Sequence, residues 1–289
     1  MNAEGHVTVP GGRRLAYAEF GDPAGIPVLY FHGSPSSRLE PSIIGDATLA
    51  RLGLRVIAPD RPGMGGSDFM PGRAIVDWPA DVAALADTLS LERFSVLGNS
   101  GGGPYAAVCA ARIPERLRAA VIVSGGWRMD SPEATRGLPF PNRIVMILAR
   151  RAPPLLGLLL GMMGGVSSDR EKELAQLKAR MPAPDFAAFA EPGRLEAFGQ
   201  TMRECMRQGT QGAVWDLRRY VREFGFRADE VRTPLTWFHG GQDANAPIGL
   251  ARAVTAGMPA ARLVTFEGDA HLSTLCHHMD EIAAALRSA

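Results

Sequence analysis

Short runs of Val, Leu, Ile and Phe, each closed by turn residues, recur along the chain: PVLYFHG (27–33), LRVIAPD (54–60), FSVLGN (94–99), AAVIVSGG (119–126), PLTWFHGG (234–241) and ARLVTFEG (261–268). Most are continuously apolar rather than alternating, which is the pattern of parallel strands buried on both faces. Helix-like segments separate them, among them VDWPADVAALADTLSL (76–91) and GLARAVTAGMP (249–259). Strand, helix, strand repetition predicts an α/β chain with a parallel sheet and right-handed crossovers. At the start, HVTVPGGRRLAYAEFGD predicts an antiparallel hairpin on the sheet edge, turning at PGG.

The rhythm stops between about Trp127 and Val231, where strand signals vanish and Pro, Gly, Arg and Met accumulate. Segments 169–181 and 195–221 keep helical periodicity. The expected organisation is therefore a core of residues 1–126 and 232–289 with a helical cap, 127–231, inserted into it. The most membrane-like stretch, 144–166, is interrupted by Arg150, Arg151, Pro153 and Pro154, leaving apolar pieces too short to span a bilayer. Its leucines and methionines (Leu155, Leu156, Leu158, Leu159, Leu160, Met162, Met163) could roof an apolar pocket, pack against the core or join two copies as a homodimer; packing is favoured for most of them.

Composition narrows the function. Hydrophobic residues are 46% of the 289 and charged residues 21%, which supports a large core and argues against global disorder. A formal net charge of +1 gives no support to nucleic-acid binding, so a small-molecule partner is expected. Three cysteines, Cys109, Cys205 and Cys276, have no metal-like spacing and suit reduced thiols, and no signal peptide is recognisable; a cytoplasmic location is expected.

Against this background the segment FSVLGNSGGGPYAAVCAAR (94–112) stands out. Gly98-Asn99-Ser100-Gly101-Gly102 fits G-x-S-x-G between a strand and a helix, where a sharp turn lifts a serine Oγ above the sheet. Small residues are needed two positions either side of that serine, because strand and helix nearly touch. A plain glycine turn would look similar. A phosphate loop would need the lysine of a P-loop or the G-x-G-x-x-G spacing, and both are missing. Ser100 is thus the expected nucleophile.

Of the six histidines, His271 follows the last predicted strand in a loop on the same edge as Ser100, where a base belongs. His277 and His278 fall on the next helix; a metal pair there is disfavoured, because adjacent helical positions face apart, and no metal or organic cofactor is expected. Asp243, directly after the strand at 234–241, is favoured as the orienting acid; Asp269 is the rival and reads more readily as a turn former. The oxyanion donors expected are the N–H groups of Gly101 and of Ser34, the latter in the loop HGSPSSR.

These motifs, HGSP (32–35), PDRPGMGGSD (59–68), GNSGGG (98–103), GQDANAP (241–247) and GDAHLS (268–273), resemble the α/β-hydrolase superfamily in order and spacing over nearly the whole chain outside the cap. The resemblance implies a mostly parallel eight-stranded sheet flanked by helices, a Ser100-Asp243-His271 triad, and Asp60 and Arg61 as bridges between loops. A serine nucleophile argues against the dehalogenase and epoxide hydrolase branches, which use Asp. Asn99 resembles the G-N-S-x-G-G elbow of C–C bond hydrolases and is a candidate substrate-binding residue, although SPSS replaces their S-G-P-G after HG. The same loop partly resembles that of prolyl aminopeptidases, and the triad that of cofactor-free haloperoxidases. The reading is a serine hydrolase for a small, mostly apolar ester, lactone or thioester. C–C hydrolysis, amide hydrolysis and a non-catalytic ligand receptor are the alternatives.

Overall fold

The strand-forming runs assemble into one eight-stranded sheet in a computed structural model that describes residues 3–130, 134–135, 137–163, 178 and 181–288. The strands are β1 (Ala3–Val9), β2 (Arg13–Gly21), β3 (Ile26–Phe31), β4 (Leu54–Pro59), β5 (Phe94–Asn99), β6 (Leu117–Val123), β7 (Leu235–Gly240) and β8 (Ala261–Phe266). Their order is β1-β2-β4-β3-β5-β6-β7-β8. From β4 to β8 all pairings are parallel, whereas β2 runs antiparallel to both β1 and β4. Gly11 and Gly12 supply the positive φ, 81° and 72°, that the β1–β2 turn requires.

The continuous apolar runs are explained by two cores. Along β3, Val28 and Tyr30 enter a cluster with Leu49, Leu54, Phe238, Ile282 and Leu286. Leu29 and Phe31 alternate into a cluster on the opposite face with Trp78, Leu85, Tyr105, Val108 and Trp237. Helices α1 (Asp46–Arg51) and, near the C-terminus, Met279–Arg287 cover the first face. Helices α2 (Trp78–Thr88) and α3 (Gly103–Arg112), with Ile248–Thr255, cover the second.

Between β6 and β7 the described chain is helical: α4 (Phe140–Arg151), α5 (Pro153–Met163), α6 (Ala183–Ala190), α7 (Arg194–Cys205) and α8 (Gln211–Tyr220). The single periodic piece expected over 195–221 is two helices, broken around Gly209, whose φ is 93°. The expected segment 169–181 lies outside the described residues, apart from Lys178 and Met181. The apolar stretch divides by helical face. Leu156 and Leu160 are buried with Met64, Leu217 and Val221, while Leu155, Leu158 and Met162 are exposed. Among the described residues no helix is long and apolar enough to cross a membrane. The three helices after β7 complete the chain: α9 (Ile248–Thr255), α10 (His271–His277) and α11 (Met279–Arg287).

Candidate active site

The turn after β5 adopts the geometry its glycines suggest. Ser100 has φ 49°, a left-handed conformation that costs a residue with a side chain energy and recurs at functional turns. A Cβ at Gly98 would overlap the Gly102 carbonyl, and one at Gly102 would overlap the Phe31 carbonyl on β3. The residues two before and two after Ser100 therefore cannot carry side chains while this turn stands. Pro104 sits in the first turn of α3, where a missing N–H costs little.

The three residues expected to act together do meet. His271 Nε2 lies 2.9 Å from Ser100 Oγ, and His271 Nδ1 lies 2.8 Å from Asp243 Oδ2. Asp243 is buried after β7 and also accepts the N–H groups of Asn245 and Ala246 through Oδ1, both at 2.8 Å. Burial works against a charged imidazole at His271, but the carboxylate of Asp243, with those of Asp185 and Glu40, outweighs it and raises the pKa above the ordinary histidine value. His239, on β7, is buried, and that burial pushes its pKa below the ordinary histidine value. It receives Trp237 Nε1–H and bonds the Ala246 carbonyl, at 3.2 and 2.7 Å, and so braces the Asp243 loop from behind.

His271 was expected in a loop; the structure makes it the first residue of α10 instead. The reason is the hydrogen bonding around it. Ser273 Oγ accepts the Ala270 N–H at 2.7 Å, and the Asp185 carboxylate accepts the N–H groups of His271, Leu272 and Ser273 at 3.1, 2.8 and 2.9 Å. Ser124 Oγ donates to the His271 carbonyl at 2.8 Å.

The Gly33–Ser34 loop, where an oxyanion donor is expected, is pinned from two sides. Glu40 accepts the Gly33 N–H on both oxygens (3.1 and 2.9 Å), the Tyr30 hydroxyl and the Asn99 amide, at 2.7 and 2.8 Å. The candidate substrate-binding residue Asn99 is thus bonded inward; its Oδ1 is buried and, among the described residues, has no hydrogen-bond partner. On the other side, Arg61 donates to the carbonyls of His32 and Gly33 and is paired with Asp216. Asp216, on α8, also receives the Ser34 hydroxyl at 2.6 Å, Arg73 at 3.0 Å and the Tyr105 hydroxyl at 2.5 Å. Burial alone would raise its pKa, yet Arg61 and Arg73 hold it well below the usual carboxylate range. Ser34 N and Gly101 are neighbours: a Cβ on Gly101 would come within 3.0 Å of that nitrogen. Asp60 ties Arg38 and Gly66 N–H, and Arg61 ties two loops, so both bridge as the motif implies.

His277 and His278 behave differently from two neighbours on one helix. α10 ends at His277, and His278 lies at its junction with α11. Both rings therefore reach Asp269, each at 2.8 Å, and His278 stacks on Phe266. Burial would push the Asp269 carboxyl up, but the bonds from His278 and His277 lower it. A carboxyl with a depressed folded pKa stabilises the fold fully above its unfolded pKa, about 4, and loses that contribution as pH falls through the folded value. Asp269→Asn is expected to cost about 0.5–1 kcal/mol at pH 5.5, since water screens much of the pairing, narrowing below about pH 4, as read by urea unfolding. A loss that does not change with pH would mean the bonds carry no charge.

A family model described as alpha/beta hydrolase fold matches residues 26–275. The chain is 28% identical over 271 residues to a 2-hydroxymuconate semialdehyde hydrolase of Pseudomonas putida, covering 92% of this chain and 85% of that one. It is 39% identical over 124 residues to a non-heme chloroperoxidase of Streptomyces lividans, a match that covers 42% of this chain and 44% of the relative. Among solved structures, a thermophilic esterase from Thermogutta terrifontis aligns with TM-score 0.68 at 22% identity, over 99% of this chain and 97% of that one. The chain belongs to the α/β-hydrolase fold family, and family and relatives together support hydrolase activity.

Proposed function

We propose that the protein is a serine hydrolase that cleaves a small, mostly apolar ester, lactone or thioester through an acyl-enzyme, with residues 127–231 as its cap. The observation that carries this reading is the unbroken line from Ser100 Oγ through His271 to Asp243, bonds of 2.9 and 2.8 Å. His271 Nε2 takes the Ser100 proton as Oγ attacks the substrate carbonyl, and Asp243 steadies the imidazolium that forms. Because the Gly33 N–H is committed to Glu40, the next amide of that loop, Ser34, joins Gly101 in receiving the oxyanion. His271 then returns its proton to the leaving oxygen or sulfur, and water, activated by the same imidazole, releases the acyl group. The chemistry asks for no metal or organic cofactor.

C–C hydrolysis is the second reading, favoured by Asn99 before the nucleophile and by the Pseudomonas putida relative, whose printed name is that of a semialdehyde hydrolase. The deciding experiment is initial rates on p-nitrophenyl esters from acetate to decanoate, alongside mass spectrometry after a fluorophosphonate probe. Turnover with a chain-length optimum and a single adduct on Ser100 are expected. Since His271 must be neutral to act and its pKa is raised, kcat/KM should fall as pH drops through a value above about 6.5. An adduct on Ser100 with no ester turnover would redirect the reading to ring-fission diketones. No adduct in the folded protein would overturn the nucleophile assignment.

A further inference from the structure

We infer that Asp185, on α6 of the helical segment, is a positioning residue that holds His271 in place, so that the base is complete only when that segment is seated. The inference rests on the reading of His271 as the general base. Asp185 is 86 residues away in sequence, and no motif points to it. It is 3% exposed, and both its oxygens are spent on one task. Oδ2 accepts the N–H of His271 itself at 3.1 Å; Oδ1 accepts the next two, Leu272 and Ser273, at 2.8 and 2.9 Å.

The geometry separates this from ordinary packing. His271 is fixed at four points: its ring nitrogens by Ser100 and Asp243, its carbonyl by Ser124, and its amide by Asp185. Three of those partners stand on or directly after the sheet strands β5, β6 and β7. Asp185 alone comes from the helical segment between β6 and β7, so any shift of α6 is felt directly at the backbone of the base. A carboxylate there also favours the protonated imidazole, the form His271 takes when Ser100 attacks. The charged and titratable groups facing that ring are Asp243 from the loop after β7, Asp185 from α6 and Glu40 from the segment after β3, with His239 beyond Asp243. The first three raise the imidazole pKa against its burial.

The test compares wild type with Asp185→Asn, Asp185→Glu and Asp185→Ala as full-length proteins checked by circular dichroism. The readouts are the His271 titration by NMR on histidine-labelled protein, assigned with His271→Gln, and the pH profile of kcat/KM on a p-nitrophenyl ester. Asp185→Asn keeps an acceptor and removes the charge; it is expected to lower the His271 pKa by at least about half a pH unit. Asp185→Glu should restore part of that shift. Asp185→Ala should lower kcat at least tenfold with little change in KM, because the substrate is still bound but the base is no longer held. Unchanged His271 titration in all three variants, with lowered melting temperature alone, would reduce Asp185 to a stability role and overturn the inference. The titration needs no substrate, so it decides the matter even where wild type shows no Ser100-dependent turnover, an outcome that would count against the proposed function instead.

Discussion

Ser100→Ala is expected to lower kcat on any ester the protein turns over by about five to six orders of magnitude. The loss should come with an unchanged melting temperature. The substitution removes one oxygen whose bond is to His271 Nε2, and alanine meets the same left-handed backbone at φ 49° that serine does. Adding His271→Ala to Ser100→Ala should cost little more, because the two act as one unit and residual rate enhancement comes from the oxyanion site and binding. Single-turnover kinetics at matched ester concentration would show this. A Ser100→Ala rate within tenfold of wild type would place the nucleophile elsewhere and remove the basis for the roles of Asp243 and His271.

The largest effect on stability is expected at Asp216. Its carboxylate is fully buried and balances two guanidiniums, Arg61 and Arg73, at 2.9 and 3.0 Å, themselves 0% and 2% exposed at the side chain. Asp216→Ala leaves both cations buried without a counter-charge, which costs about 3–5 kcal/mol when one partner of such a group is removed. The loss propagates, because Arg61 holds the His32 and Gly33 carbonyls and Asp216 itself holds the Ser34 hydroxyl. Asp216→Asn keeps the shape and some acceptors and should cost less. Urea unfolding read by tryptophan fluorescence would report both variants. A midpoint for Asp216→Ala close to that of wild type would mean that α8 and the core are not joined through this cluster.

What could be read from the chain follows from how local each signal is. Strands such as Phe94–Asn99 were visible because a strand buried on both faces must be apolar at every position. The Gly98–Gly102 turn was visible because its glycines answer a steric demand within five residues. Asp243 and His271 were visible because parallel strands deliver their following loops to one edge. Asp185, Asp216 and Glu40 gave no such signal. Asp185 and Asp216 are lone acids in helices whose partners lie far along the chain, up to 182 residues for Asp216 and Ser34, and Glu40 bonds to Asn99 59 residues on; periodicity cannot report contacts of that kind. Asn99 was legible as a motif residue, but its engagement by Glu40 was not. The start of α10 at His271 was hidden for the same reason: part of what begins that helix is a carboxylate from another part of the chain.

For an engineer, the two acids Asp185 and Asp216 define what a transplanted set of helices between β6 and β7 would have to carry. The helices between β6 and β7 reach the carboxyl edge of the sheet through these carboxylates, one on the backbone of His271 and one on the Ser34 hydroxyl and Arg61. A chimera that imported another family member's helices there would leave the His271 N–H and the Ser34 hydroxyl without these acceptors, unless acids were rebuilt at both points. Libraries aimed at that segment are therefore best confined to its exposed positions, such as Leu155, Leu158 and Met162, with Asp185 and Asp216 held fixed.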